Sequence, residues 1–166
     1  MVRRVAFRKA VLAGALGALG WEIAMRGLIL IGVPMFDLVH LLGTMVVGHR
    51  AELWLWWPVG MTLHAIVGAI WAIFYAYFFW SFYDLPPTVQ GIVFSLLPAV
   101  LAGLVMVPQI DYMIIPSPQF RTFALGVGWF GPASIILGHL IYGAVLGSLY
   151  TRPVGFPTGR PIKWHA

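Results

Sequence analysis

The chain has 166 residues, of which 61% are hydrophobic and 9% charged, with a formal net charge of +5. A soluble domain needs about 25% charged residues to cover a water-facing surface, so this composition excludes an ordinary soluble enzyme and points to an exterior that faces lipid. The chain holds no cysteine, which removes disulfide, thiolate and iron–sulfur chemistry.

Arg3, Arg4, Arg8 and Lys9 precede a first apolar run over 11–31. Further runs cover 58–80, 89–107 and 130–150. Each approaches the roughly 20 residues that carry a helix across a bilayer. The expected fold is therefore all-α: a polytopic membrane protein of four transmembrane helices, one membrane domain over 1–166. The first run continues past "AGALGALG", so it reads as an uncleaved span and not as a secretory signal. Within it Glu22 and Arg26 stand at i and i+4, on one helical face. Lipid offers such a pair no partner, and the expectation is a structural lock or subunit contact, with a proton or substrate path as the alternative.

"VPMFD" then brings Asp37, and His40 and His49 flank "LLGTMVVG", which is too short to span and is expected at the interface or re-entrant. "LWLWWP" places Trp54, Trp56 and Trp57 in a headgroup belt, with Trp80, Phe82 and Tyr83 in the opposite one. Pro58 and Pro132 suit the first turn of their helices. In "LHAIVGAIWAIFY" the residues His64, Gly68, Trp71 and Tyr75 form one helical stripe. "SFYDLPPTVQ", with Pro86 and Pro87, breaks the chain between halves.

Sliding the sequence by 74 or 75 residues aligns "VPMFD" with "VPQID", Pro58 with Pro132, and His64, Gly68, Ala69 and Tyr75 with His139, Gly143, Ala144 and Tyr150. Two tandem helical hairpins are expected, over about 10–80 and 87–151, followed by a tail over 152–166. They would be related by a pseudo-twofold axis along the membrane normal, because two spans separate equivalent positions. Gly68, Gly143 and Gly147 are expected to let helices approach closely, and the tyrosines to anchor at the interface.

His64 would lie about 9 Å into the bilayer at a 1.5 Å rise per residue, where a polar side chain faces the bundle interior and has a partner. His64, His139, Asp37 and Asp111 are expected to converge in the outer half of the bundle. The readings open at this point are loop caps and carbonyl-bonded neutral rings, a divalent metal site, ligation of haem, a chlorin or a quinone, and proton movement. None of these cofactors is required by the spacing.

Seven of the ten basic residues lie before the first span or after the last, so both termini are expected in the cytoplasm of a bacterial inner membrane. The stretches "VPMFDLVHLLGTMV", "LHAIVGAIWAIFYA", "GIVFSLLPAVLAGLVMVPQ" and "LGHLIYGAVLGSLY" resemble a family of small four-helix bacterial membrane proteins known only as a domain of unknown function. The resemblance implies a four-helix fold and carries no reaction; "WEIAMR" and the Pro-rich tail lie outside it. The expected role is a non-enzymatic accessory or scaffold subunit of a membrane assembly, whose partners are the lipid bilayer and other membrane subunits or further copies of itself, and not nucleic acid. A cofactor- or metal-binding protein using His64 and His139 is the alternative, and a small oligomeric transporter the third reading.

Overall fold

The computed structural model describes residues 5–48, 50–80, 85–113 and 121–150, apart from the side chains of 111–113. Among these residues every regular element is helical. Helix α1 (Phe7–Leu30) is followed by a short α2 (Leu38–Val47) and then α3 (Leu53–Phe74), which runs on through a π-helical turn at Tyr75–Phe79. Helix α4 (Pro87–Leu101) passes through a second π-helical turn, Ala102–Met106, into α5 (Val107–Met113). A 3-10 stretch, Thr122–Val127, precedes α6 (Phe130–Leu149).

Four helical stretches are long and apolar enough to cross a membrane: Phe7–Leu30, Leu53–Phe79, Pro87–Ile110 and Phe130–Leu149. The chain thus has the architecture of a multi-pass membrane protein. The first stretch begins before its apolar run because charge does not end a helix at an interface. Arg8 and Lys9 are accommodated in the opening turns of α1, where long basic side chains reach toward water. Helix α3 likewise begins at Leu53, so Pro58 falls inside it and beyond the expected first turn.

Helix α3 packs on α1, α1 on α6, and α6 on α4, while α2 lies against α3. The direction of each crossing can be read from its contacts. A Cβ on Gly14 would meet Gly68 and Ala72, and one on Gly17 would meet Tyr142, whereas Trp21 reaches His64, Gly138 and His139. Ascending α1 therefore meets descending α3 and α6. On α4, Gly91 abuts Gly143 and Gly147, and Gly147 in turn abuts Pro87 and Thr88, so α4 and α6 are antiparallel as well. These seams place backbone against backbone because glycine removes the side chain that would hold the helices apart.

Helices α3 and α4 approach each other differently. They meet through rings, with Trp71 and Phe74 at 6.2 and 6.4 Å from Phe94 between centroids. Beyond these rings, residues of both helices line a cleft. Pro98 sits inside α4 and deprives it of an internal hydrogen bond. The π-helical turn begins four residues later, at Ala102, and such bulges frequently mark functional positions.

Candidate functional site: a histidine-lined membrane cleft

The cleft between α3 and α4 has a volume of about 320 Å³, within the size range of small-molecule sites. Its deep wall is Trp21 of α1. His64, Gly68 and Trp71 come from α3, His139 and Tyr142 from α6, and Pro98, Ala102 and Met106 from α4 and its π-helical turn. Val67, Leu101 and Val105 also line it and stay 38%, 40% and 52% exposed. These three residues mark a mouth on the flank of the bundle, facing where lipid would be.

Both histidines are buried, at 5% and 7% exposure. Both pack edge-on against the Trp21 indole, with ring centroids 5.1 Å away for His64 and 4.6 Å for His139. The sequence stripe therefore brings the two imidazoles to one indole in one cavity. Nδ1 of His139 lies 2.7 Å from the carbonyl oxygen of Ile135. A carbonyl only accepts, so this nitrogen carries the proton. Nδ1 of His64 is buried with no hydrogen-bond partner. An unpaired polar atom in such surroundings costs about 1–3 kcal/mol. Three residues along α6 from His139, the Tyr142 hydroxyl donates to the Gly68 carbonyl at 2.6 Å, tying α6 to α3 directly below the histidines.

The end of the cleft toward α2 is closed by Phe36 and Leu38. The Phe36 amide donates to the Ser134 hydroxyl at 2.8 Å. Asp37, between those two lining residues, caps α2 by accepting from the His40 amide at 2.8 Å. It also accepts from both terminal nitrogens of Arg26, at 2.8 and 3.1 Å. Arg26 in turn donates to Glu22 at 3.0 Å through Nε and 2.8 Å through Nη2. The Trp57 indole N–H donates to the same Glu22 oxygen at 3.1 Å, and the Arg26 guanidinium lies 5.7 Å from the centroid of the Trp56 ring. One cation is thus held by two carboxylates and faced by an aromatic ring.

This arrangement departs from the sequence reading in several respects. Asp37 turns to Arg26 and does not join the histidines, because the turn over 31–36 brings it back beside α1. The Asp111 side chain and His49 lie outside the described residues. Among the described residues, no group of three or more His, Cys, Asp or Glu side chains gathers where it could hold a metal ion. Trp56 and Trp57 serve the charge cluster as well as any headgroup belt. Tyr75 and Tyr150, expected as interface anchors, are buried at 1% and 5% exposure, with ring centroids 6.0 Å apart. The π-helical turn that begins at Tyr75 alters the helical register there. Gly68, Gly143 and Gly147 sit at helix crossings, against Gly14, Gly91 and Pro87 respectively.

Trp21 and Tyr142 are site residues that the sequence reading did not single out. Both lie in mid-span, far from either aromatic belt, and each carries a polar hydrogen that calls for an interior partner. Comparison of the chain with protein-family models, with curated proteins and with solved structures finds no match in any of the three.

Proposed function

We propose that the chain is a non-enzymatic accessory subunit of a membrane assembly that binds a small apolar molecule in the Trp21–His64–His139 cleft, admitting it sideways from the bilayer between α3 and α4. The observation that carries this reading is the unpartnered Nδ1 of a buried His64 in a cavity with a flank opening. A histidine kept only for packing would have its sealed nitrogen satisfied, as Nδ1 of His139 is through Ile135. The walls are aromatic and aliphatic, with a few polar groups set among them, as in small-molecule sites generally.

The cytoplasmic placement of both termini in a bacterial inner membrane belongs to the same proposal and is supported by the excess of basic residues flanking the first and last spans. Two tandem hairpins related by a pseudo-twofold axis are supported by the pairing of α1 with α3 and α4 with α6, and by the shared contact of the two histidines with Trp21. Kinship with the small four-helix bacterial proteins that the chain resembles is supported by its four apolar helices.

The test is purification from native membranes in mild detergent, followed by absorption spectroscopy and mass spectrometry of the organic extract. A molecule recovered in stoichiometric amount with the wild type, and depleted from a His64→Leu, His139→Leu protein of unchanged elution volume, supports the proposal. Identical extracts from the two proteins overturn it. A Soret or chlorin band would identify the molecule as a macrocycle.

A further inference from the structure

The hydrogen-bonding state of the two imidazoles narrows the ligand, on the basis of the binding function proposed above. His139 spends its proton on Ile135, since the carbonyl 2.7 Å from Nδ1 can only accept. In the neutral ring Nε2 is then a lone pair, and the hydrogen bond this ring makes among the described residues is the one at Nδ1. It can be satisfied only by a donor. His64 has an unpaired Nδ1, which donates or accepts according to its tautomer.

Few uncharged groups meet the demand at His139. A ketone or quinone carbonyl only accepts and would leave His139 Nε2 unpaired. An amine or carboxylic acid brings a charge that is expensive among apolar walls. A hydroxyl is an uncharged donor: it can donate to His139 Nε2 without bringing a charge among apolar walls. We infer that the cleft recognises an apolar molecule by a hydroxyl head group, a phenol or hydroquinone in one case or an aliphatic alcohol in the other. Trp21, Trp71 and Phe36 in the walls suit an aromatic ring, and the flank opening leaves room for a tail to lie in lipid.

Matched probes that differ in a single hydrogen-bond donor separate this inference from the reading it rests on. Para-decylphenol and para-decylanisole form one pair; dodecanol and its methyl ether form the other. Each is titrated into the purified full-length protein in detergent, and the dissociation constant, expressed as a mole fraction in the micelle, is read from the rise in unfolding temperature with ligand concentration. In at least one pair the hydroxyl compound is expected to bind about tenfold or more tightly than its ether, the scale of one buried hydrogen bond. The pair that shows the difference identifies the phenolic or the aliphatic source. In His139→Leu the difference should vanish while the ether still binds, a readout that general destabilisation would not produce. Should that variant fail to fold, the wild-type pairs decide alone. Ethers that bind as well as the hydroxyl compounds overturn the hydroxyl assignment and leave the apolar pocket standing. Failure of all four probes to stabilise the protein overturns both.

Discussion

Arg26 and Asp37, separated by eleven residues of sequence, meet in a two-bond ion pair at 2.8 and 3.1 Å. This contact changes the meaning of the Glu22–Arg26 pair. Read along one helix, those residues are a self-contained couple. In the folded chain Arg26 is the hub of a cluster that also fastens the 31–37 segment, and with it Phe36 and Leu38, over the cleft.

The consequence is an ordering of mutants. Glu22→Leu leaves Arg26 paired with Asp37 and should be tolerated. Arg26→Leu strands both carboxylates and should be the most damaging single change. Arg26 and Asp37 keep 27% and 23% side-chain exposure, so the cost falls at the lower end of the range for broken buried pairs, about 3 kcal/mol. Combining Glu22→Leu with Arg26→Leu should not restore stability, because Asp37 remains unpaired; adding Asp37→Asn should recover most of it. Thermal unfolding in detergent gives the order directly, and full rescue by the double change would show that the Asp37 contact carries no weight.

The Tyr142 hydroxyl is another link across the bundle. Tyr142→Phe removes the bond to the Gly68 carbonyl and nothing else, and interhelical bonds in membrane proteins are worth about 0.6 kcal/mol on average, up to about 1.7. A loss of about 1 kcal/mol is expected. Gly68→Ala should cost more, about 1–3 kcal/mol through overpacking, because its Cβ would fall 2.7 Å from the Gly14 carbonyl oxygen, which is backbone and cannot step aside. If Tyr142→Phe proves the worse of the two, the seam is looser than the contacts indicate.

How far the sequence discloses all this depends on the range of each interaction. The spans are legible because hydropathy is summed over whole helices, and the His64–Gly68 and His139–Gly143 stripes because helical spacing is local. The Asp37–Arg26 contact depends on a chain reversal in which Gly32 takes a φ of 87°, and nothing local specifies which side chain Asp37 will meet. Its alignment with Asp111 in "VPQID" points instead toward a histidine cluster. The π-helical turns are equally silent, since no residue pattern marks the extra residue that widens α4 beside the cleft. Pro98 signals a disturbance there without fixing its form.

Sidedness is a matter of charge placement and can be read by chemical labelling. Glu52 is exposed just before α3 and is expected to face away from the cytoplasm, whereas Thr158 belongs to the basic tail. With Cys introduced singly, Glu52→Cys should react with an impermeant maleimide in intact cells, and Thr158→Cys only after lysis. The opposite pattern would invert the orientation inferred from the basic residues.

The flank opening makes the most specific demand on the proposed function. Val67 of α3 and Val105 of the π-helical turn after α4 both line the cleft while remaining 38% and 52% exposed. A larger ring at either position would project into lipid or over the opening, and neither setting disturbs the seams that hold α1, α3, α4 and α6 together. Val105→Trp should therefore leave the unfolding temperature of the empty protein nearly unchanged, since substitutions away from packed cores move stability by about 0.5 kcal/mol or less. The same change should slow ligand entry and exit, and lower the amount of ligand that co-purifies, with Val67→Trp acting in the same direction. A control at Ile136, which is exposed on α6 and not part of the cleft wall, should have no effect on either quantity. Unaltered exchange in both Val67→Trp and Val105→Trp would mean that the ligand does not pass between α3 and α4, and that access lies instead beneath Phe36 and Leu38. In that event the Arg26–Asp37 contact, which fastens those residues, becomes the element whose loosening should speed exchange.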